Sequence, residues 1–521
     1  MSSKNSTRTR YAMKNMIGTL VSHVLSIILG FISQRIFVRT LGTEYLGING
    51  LFTNIISMLS VIELGFGSAI IYNLYKPIAN EQKEEIKTLM AFYKKIYSLI
   101  ALIIAIIGAI LIPFLHKIVG VTSIDWNEIL IIYILFIVDV VVSYFLTYKR
   151  SILYANQKNY IINIVHIGYI VTINLFEILI ILLTKNYLLF LIFKVIIRFV
   201  ENLVINIIVD KNYKFLKEKN IKKITKETYN EIIKRVKGLI FHKIGVFLVA
   251  GTDNIIISSF LGVSTVGLYS NYSMVITALQ TIVNQIFSSF KASIGNLLVT
   301  EKGKSYEVFK RMQFFNFWLA MNSTLGIYVV MNDLITLWIG EEYLLSEFVL
   351  IVLSISNYTY ISKLCCSNFL EAAGVFYEDR YVPIIESIVN IGMSVILLHF
   401  FGLAGVFLGT ICSHLIGHIY TYPKFLYKNI FNKSSIQYFK DSMQYFMFTI
   451  TVGMFMSLLM KYVKMEGIIL LIIEIFIAII IPNLLCVLLF YRKAEYKYYI
   501  ELINNNIQKI IKRIKKLTNN S

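Results

Sequence analysis

Residues 41–47 read LGTEYLG and join two long apolar stretches, Met16–Val38 and Ile48–Leu74. The glycines of this short turn permit a tight reversal of the chain between two helices. The motif returns as LGVSTVG at residues 261–267, again after an apolar stretch. A second echo has nearly the same offset, since IVHIG at 164–168 matches IVNIG at 388–392. The sequence therefore predicts two repeated halves.

The composition is that of a membrane protein. Of 521 residues, 57% are hydrophobic and 15% are charged, and the mean hydropathy is +0.69. Ordinary soluble domains are about 45–50% apolar and about 25% charged. Apolar runs of about 20 residues indicate membrane-spanning helices, because lipid offers no hydrogen bonds to an irregular backbone. We predict an all-α polytopic membrane protein with about 14 transmembrane helices.

The basic residues indicate topology rather than nucleic-acid binding. The formal net charge is +20, from 50 Lys and Arg against 30 Asp and Glu. Most of the cations fall in alternate loops and at the two ends, which is the asymmetry that sets membrane orientation. We therefore predict a cytoplasmic-membrane protein with both termini in the cytoplasm, in contact with anionic membrane lipids and not with nucleic acid.

The repeat divides the predicted spans into two six-helix halves with the same orientation, a parallel pseudo-repeat. Two further helices form a C-terminal hairpin, and a basic tail with apolar residues at helical spacing follows. This tail is predicted to lie on the inner membrane face, with a protein-binding tail as the alternative. The predicted segments are a first half at 1–209, a basic cytoplasmic linker at 210–237, a second half at 238–425, helices 13 and 14 at 426–491, and the tail at 492–521.

Three cations within apolar segments are candidate substrate-binding residues. Arg35 lies on the first span, and Lys243 and Lys291 lie on the first two spans of the second half. A charged side chain inside the membrane costs about 2.5–3.5 kcal/mol on insertion scales, so its presence suggests a function. We expect these cations to line a cavity that attracts an anion. The alternative is that each one snorkels or pairs with a carboxylate. Arg39, at the predicted outer rim, is a further candidate, as a gate or an interface anchor.

The acidic candidates are Glu63, Asp139 and Asp253. Each could titrate or bind a cation during transport, or could neutralise Arg35. Arg198 and Glu201 lie three residues apart, so pairing within one helix is the simplest explanation of that group, which includes Lys194.

No metal site, cofactor or enzymatic centre is predicted. His414 and His418 lie four residues apart, but Leu415 stands where the metallohydrolase helix pattern needs Glu, so cavity or packing roles are favoured. The four cysteines lie in predicted spans and suit apolar packing. No phosphate-binding glycine loop is present, and the predicted outer loops are short. These features favour transport over catalysis, with coupling to H+ or Na+ left open.

With these residues in view, the chain resembles the multidrug/oligosaccharidyl-lipid/polysaccharide exporter superfamily. Within it, the closest resemblance is to the repeat-unit flippases of bacterial capsule, exopolysaccharide and O-antigen pathways. The resemblance is carried by LGTEYLG at 41–47, ELGFG at 63–67 and the stretch from Thr252 to Tyr269.

The resemblance implies a two-lobed fold, alternating access and an undecaprenyl-diphosphate-linked oligosaccharide as cargo, moved from the inner to the outer leaflet. Polysaccharide polymerase and glycosyltransferases are implied partners, and helices 13 and 14 are implied to form a groove for the lipid tail. A cation-coupled multidrug exporter and a lipid II flippase are the alternatives within the superfamily. The lipid II flippases favour an Arg-Asp pair late in the first helix, where this chain has Gln34-Arg35. A membrane glycosyltransferase or polymerase is the alternative from another class.

Overall fold

A computed structural model describes most of the chain. The described residues are 2–63, 66–218, 221–222, 224–230, 232–233, 236, 251–374, 381–463 and 465–505. At residues 2–17, 20, 61–62, 68, 292 and 418 only the backbone is described. The chain separates into two compact units, Met1–Ser270 and Asn271–Ser521. The predicted segments, with a linker at 210–237, stay a prediction.

The first unit is built from helices joined by short turns. A 3-10 turn at Ser60–Glu63 interrupts the second span between two of these helices. The helices are α1 (Ser2–Leu41), α2 (Thr43–Leu59), α3 (Phe66–Ala79), α4 (Lys83–Leu111), α5 (Leu115–Val119), α6 (Trp126–Thr147), α7 (Arg150–Ala155), α8 (Asn159–Thr184), α9 (Tyr187–Asn212), α10 (Asp253–Leu261) and the start of α11 (Val263–Thr300).

The second unit begins inside α11 and is also helical. One of its spans breaks at Lys363, and another continues from α16 through two π-helical turns, Leu415–Thr421 and Tyr427–Phe431. The helices are α12 (Ser305–Trp338), α13 (Glu347–Ser362), α14 (Leu364–Ala373), α15 (Val382–Phe401), α16 (Leu403–His414), α17 (Tyr422–Leu426), α18 (Ile436–Met460) and α19 (Gly467–Phe490). A last helix, α20, covers 494–505.

The described residues form helices and no strands. Ten helical segments among them are long and apolar enough to cross a membrane, judged by length and composition. The predicted class, an all-α polytopic membrane protein, is confirmed, whereas the number fourteen stays a prediction. The ten segments are Val21–Leu41, Lys83–Val119, Trp126–Thr147, Asn159–Thr184, Lys302–Trp338, Glu347–Ala373, Val382–Phe401, Leu403–Phe431, Ile436–Met460 and Gly467–Phe490.

The two copies of the glycine motif have the same backbone conformation. Gly42 separates α1 from α2 with φ 88° and ψ 177°, and Gly262 separates α10 from α11 with φ 85° and ψ 160°. Side chains with a Cβ rarely adopt a positive φ of this size, so glycine suits both turns. The repeated motif therefore specifies the same helix–turn–helix at both places.

The two motifs also pack against each other within the first unit. A Cβ on Gly47 would overlap the carbonyl oxygen of Val263, and a Cβ on Gly267 would overlap that of Thr43. Beside them, the hydroxyl groups of Thr43 and Ser264 lie 2.9 Å apart. Small residues allow two helix backbones to approach this closely inside a membrane. We call this reciprocal contact the glycine crossing.

Loops at the same end of the first unit are tied together by Glu44. Its carboxylate accepts hydrogen bonds from the hydroxyl of Thr122, at 2.7 Å, and from the backbone N–H of Ser123, at 2.8 Å. Burial raises the pKa of Glu44, but these hydrogen bonds outweigh it, so the pKa lies below its usual value. Tyr45 donates to Glu128 at 2.8 Å beside this carboxylate. These bonds hold the turn between α1 and α2 against the α5–α6 loop.

The start of the predicted basic tail is folded onto the second unit. Tyr499 of α20 stacks on Phe315, with ring centroids 5.7 Å apart, and donates a hydrogen bond to the carbonyl of Arg311 at 3.1 Å. Lys310 and Lys493 both lie within ion-pair distance of Asp441, at 3.2 and 3.4 Å. The apolar and basic residues that carry the amphipathic prediction extend to Leu517, and those after residue 505 lie outside the described residues.

Candidate functional site

Arg35 carries a positive charge on the exposed face of α1. It lies in the apolar segment Val21–Leu41, one of those long enough to cross a membrane. Within the part of the chain that the structure describes, Arg35 makes no ion pair or hydrogen bond. Arg39, one turn further, is also exposed but does have an interaction partner. Of the two, Arg35 is the cation left available to a ligand.

Glu63 lies at the interruption between α2 and α3. The hydroxyl groups of Tyr97 and Tyr144 donate to its two carboxylate oxygens, each at 3.3 Å. A span interrupted by a 3-10 turn frees backbone groups near a charged side chain, which is a common setting for functional sites in membranes. Glu63 is therefore positioned from three helices: α4, α6 and its own.

Asp139, Arg198 and Glu201 form a buried ion network that joins α6 to α9. The guanidinium of Arg198 donates to Glu201 at 3.0 Å, the pairing that the sequence spacing suggested. The same guanidinium lies 3.6 Å from the carboxylate of Asp139 and over the ring of Tyr169, at 4.1 Å. Asp139, which was predicted as a coupling residue, is thus held against a permanent cation.

The network continues from Glu201 to two more elements. Arg150 at the start of α7 lies 3.2 Å from the carboxylate of Glu201, and Nδ1 of His166 on α8 lies 3.1 Å from it. Arg150 also donates to the side chain of Asn202, at 2.8 Å. The Glu201 side chain is 1% exposed. The buried carboxylate of Glu201 on α9 is therefore connected directly to α7 and α8, and through Arg198 to Asp139 on α6.

The two remaining candidates of the first unit, Asp253 and Lys243, cannot be assigned a role from their contacts. Asp253 is the first residue of α10, is partly buried and has an interaction partner. Lys243 lies outside the described residues. Its predicted role as a cavity cation stays a prediction.

Lys291, the candidate on α11, pairs with Glu371 on α14. Both side chains are about two-fifths exposed, at 44% and 40%. This is the pairing with a carboxylate that was the alternative to a cavity role. In this state the charge of Lys291 is balanced by a neighbour.

Lys363 is a further cation that sequence reasoning missed. It stands at the break between α13 and α14, where Asn316 of α12 donates to the carbonyl of Ser362 at 2.7 Å. The Lys363 ammonium lies 4.7 Å from the centre of the Tyr360 ring. Its segment, Glu347–Ala373, is apolar enough to span a membrane. The signal was available in the sequence, since Lys363 interrupts the apolar residues around it.

Polar side chains connect α11 and α13 next to this lysine. Asn284 donates to the hydroxyl of Tyr360 at 2.8 Å, and Gln280 donates to Asn357 at 3.2 Å. With Lys363 and the Lys291–Glu371 pair they form a polar stripe along α11, α13 and α14 of the second unit. A stripe of polar and charged side chains of this kind suits a face that meets water or a polar ligand.

An apolar groove runs along α12, α13 and α18 in the second unit. One cavity, of about 430 Å³, is lined by residues that include Asn316, Tyr358 and Phe446. A second cavity, of about 390 Å³, lies further along the same helices. Both are lined by Ile355, which makes them neighbours along one groove. The lining is mainly aliphatic and aromatic, which suits a hydrocarbon chain.

The histidine and cysteine predictions concern this unit too. His414 is buried, with Nδ1 2.9 Å from the hydroxyl of Thr359, while the side chain of His418 lies outside the described residues. Cys365, Cys366 and Cys486 are buried free thiols, and Cys412 is partly buried. Among the residues with described side chains, no cluster of three or more His, Cys, Asp or Glu could hold a metal ion.

The fold is shared with solved transporters of one superfamily. The lipid II flippase MurJ, in an inward closed conformation, matches with a TM-score of 0.67 at 16% identity, over 92% of this chain and 98% of that chain. An inward-facing multidrug resistance MATE family transporter of the MOP superfamily matches with a TM-score of 0.58 at 12% identity, over 76% and 93%. The MATE transporter VcmN from Vibrio cholerae matches with a TM-score of 0.55 at 15% identity, over 82% and 100%. Because the identities are this low, the similarity shows a shared fold only.

The family follows from the sequence itself. Residues 12–290, more than half of the chain, match the family described as polysaccharide biosynthesis protein. The chain belongs to this family. No curated protein sequence matches it significantly. The predicted resemblance to the superfamily, and to its polysaccharide flippases, is confirmed by the family and the fold together, and the chain is a multi-pass membrane protein.

Proposed function

We propose that the protein is a flippase and not an enzyme. It moves an undecaprenyl-diphosphate-linked oligosaccharide repeat unit from the inner to the outer leaflet of the bacterial cytoplasmic membrane by alternating access. The cargo is destined for a surface polysaccharide such as a capsule, an exopolysaccharide or O-antigen. Membership of the polysaccharide biosynthesis family, in a chain with a flippase-like fold, supports this proposal. Both termini lie in the cytoplasm in this proposal.

The observation that carries the proposal is the available charge of Arg35. A guanidinium keeps its charge under all physiological conditions and can bind phosphate oxygens in a bidentate manner. Because Arg35 has no partner among the described residues, a bound diphosphate would supply the counter-charge that the protein does not. Lys243, Lys291 and Arg39 are further cations proposed for the same cargo.

The apolar groove of the second unit is proposed as the site of the lipid tail. A polyprenyl chain is a long hydrocarbon, and an apolar lining accepts it without leaving buried polar groups unpaired. The groove lies against α18, the first helix of the predicted C-terminal hairpin. We therefore assign the tail to the groove along α12, α13 and α18.

Charge at position 35 is expected to be essential for export. Arg35→Gln removes the charge with little change of volume and is expected to lower the export of surface polysaccharide by about tenfold or more, because a charged hydrogen bond contributes about 1.5–3 kcal/mol. Arg35→Lys keeps the charge and is expected to retain part of the activity. Polysaccharide on cells and folded protein in membranes should be measured together. Full export by Arg35→Gln at a normal protein level would contradict the proposal.

Coupling to H+ or Na+ is proposed at Glu63, a carboxylate at the break in a span that accepts hydrogen bonds from Tyr97 and Tyr144. Asp139 is a weaker candidate, because Arg198 already compensates its charge, and Asp253 stays a third. Transport measured against imposed proton or sodium gradients identifies the ion. Loss of that gradient dependence in Glu63→Gln is the expected result.

A cation-coupled multidrug exporter is the second candidate, because MATE transporters share the fold. If the protein had this function, it would make an expressing host resistant to cationic drugs.

Mass spectrometry of lipids that co-purify with the protein separates the remaining possibilities. An oligosaccharide on polyprenyl diphosphate supports the proposal, and a peptide-bearing precursor would instead indicate a lipid II flippase. Turnover of a lipid-linked sugar by the purified protein would indicate a glycosyltransferase or polymerase. In the proposed function, enzymes of these two kinds are partners of the flippase.

A further inference from the structure

Lys363 is a cation in an apolar span, and no carboxylate among the described residues balances its charge. Among the residues that the structure describes, its ammonium lies over the face of Tyr360 and interacts electrostatically with His414. A cation–π contact contributes about 0.5–2 kcal/mol, whereas a lysine at the centre of a membrane helix costs about 2.5–3.5 kcal/mol. The face of an aromatic ring does not neutralise the lysine, so its charge is left for a ligand.

The surroundings of Lys363 orient it without neutralising it. Tyr360 is itself fixed by the hydrogen bond from Asn284. Thr359, one turn before Lys363, lies within hydrogen-bond distance of His414. Fixed polar groups around an unbalanced charge are what an anion site requires, because little reorganisation is needed on binding.

Lys291 differs from Lys363 because it already has a partner. Glu371 balances it, and Glu371 is also within 3.4 Å of the hydroxyl of Ser367. An anion that used Lys291 would first have to displace Glu371. In the observed state, Lys363 is the cation of the polar stripe that can accept an anion directly.

We propose that Lys363 binds the diphosphate of the cargo, and that Glu371 masks Lys291 as a second site until the pair opens. This inference rests on the proposed flippase function and specifies where the second unit contacts the cargo. Lysine binds phosphate as a point charge, without the bidentate geometry that arginine demands. The site therefore tolerates a headgroup that moves along the stripe from Lys363 towards Lys291.

Binding of farnesyl diphosphate to the purified full-length protein tests the site. Lys363→Gln is expected to weaken binding by about tenfold, and Lys363→Arg by less than about threefold, because the charge is kept. Lys291→Gln is expected to weaken binding less than Lys363→Gln does, because Glu371 already balances the charge of Lys291. Glu371→Gln is expected to tighten binding by about fivefold, because it unmasks Lys291. Each variant is first checked for unchanged thermal unfolding.

Unchanged binding by Lys363→Gln, or a larger loss in Lys291→Gln than in Lys363→Gln, would overturn the inference. Glucuronic acid is the second probe, because an acidic sugar is the other source of negative charge in such a cargo. Dependence on Lys363 for glucuronic acid alone would overturn the assignment to the diphosphate. No binding of farnesyl diphosphate by the wild-type protein would also overturn it. The flippase function itself is decided separately, by the export assay at Arg35 and the co-purifying lipid.

Discussion

Gly47→Leu is expected to disrupt the glycine crossing and to lower the stability of the protein by about 3 kcal/mol, at the upper end of the cost of overpacking. The reason is that the neighbour is the backbone carbonyl of Val263, which cannot rotate away as a side chain can. The two helices would have to separate. The midpoint of thermal unfolding in detergent is the first measurement.

A disulfide gives a direct readout of the crossing. The Thr43 and Ser264 hydroxyl groups lie 2.9 Å apart, so the pair Thr43→Cys and Ser264→Cys should form a cross-link under mild oxidation. Adding Gly47→Leu should slow or prevent it. The same loss is expected of Gly267→Leu, because the contact is reciprocal.

Gly168→Leu is the matched control, since a Cβ at Gly168 meets nothing within 4 Å. It should leave both the unfolding midpoint and the cross-link unchanged. Equal effects of Gly47→Leu and Gly168→Leu would show that the larger side chain, and not the crossing, is responsible. Efficient cross-linking in the presence of Gly47→Leu would show that the crossing tolerates the change.

Glu201→Gln is expected to cost about 3–5 kcal/mol, because it leaves buried cations without their partner. Arg150, Arg198 and His166 all converge on this carboxylate. The volume of the side chain is nearly unchanged, so the loss would report charge and not packing. Thermal unfolding of the purified variant measures it.

Two comparisons make the Glu201 experiment specific. The double variant Arg198→Gln, Glu201→Gln should be more stable than Glu201→Gln alone, because it removes one of the stranded charges. Lys304→Gln breaks an exposed pair with Glu301 and should have little effect. If the double variant were as unstable as the sum of the two single variants, the residues would not act as one network.

The candidate cations show which contacts could be predicted from the sequence and which could not. The sequence predicted that Arg35 is a charge inside an apolar run. It also predicted the pairing of Arg198 with Glu201, because the two residues lie three apart on one helix. The Lys291–Glu371 pair joins residues far apart in the chain, and no spacing rule connects them. Lys363 was overlooked because its span was judged by its apolar residues.

The sequence by itself determined that this is a multi-pass helical membrane protein with a repeated glycine turn, because apolar length and the conformation of glycine are local properties. It also determined the family, through residues 12–290. Only the tertiary structure decided which charges are balanced and which are available. Ion pairing depends on distances between side chains of different helices, such as the 3.6 Å between Arg198 and Asp139. For the same reason, the reciprocal packing of the two glycine motifs emerged only from the fold.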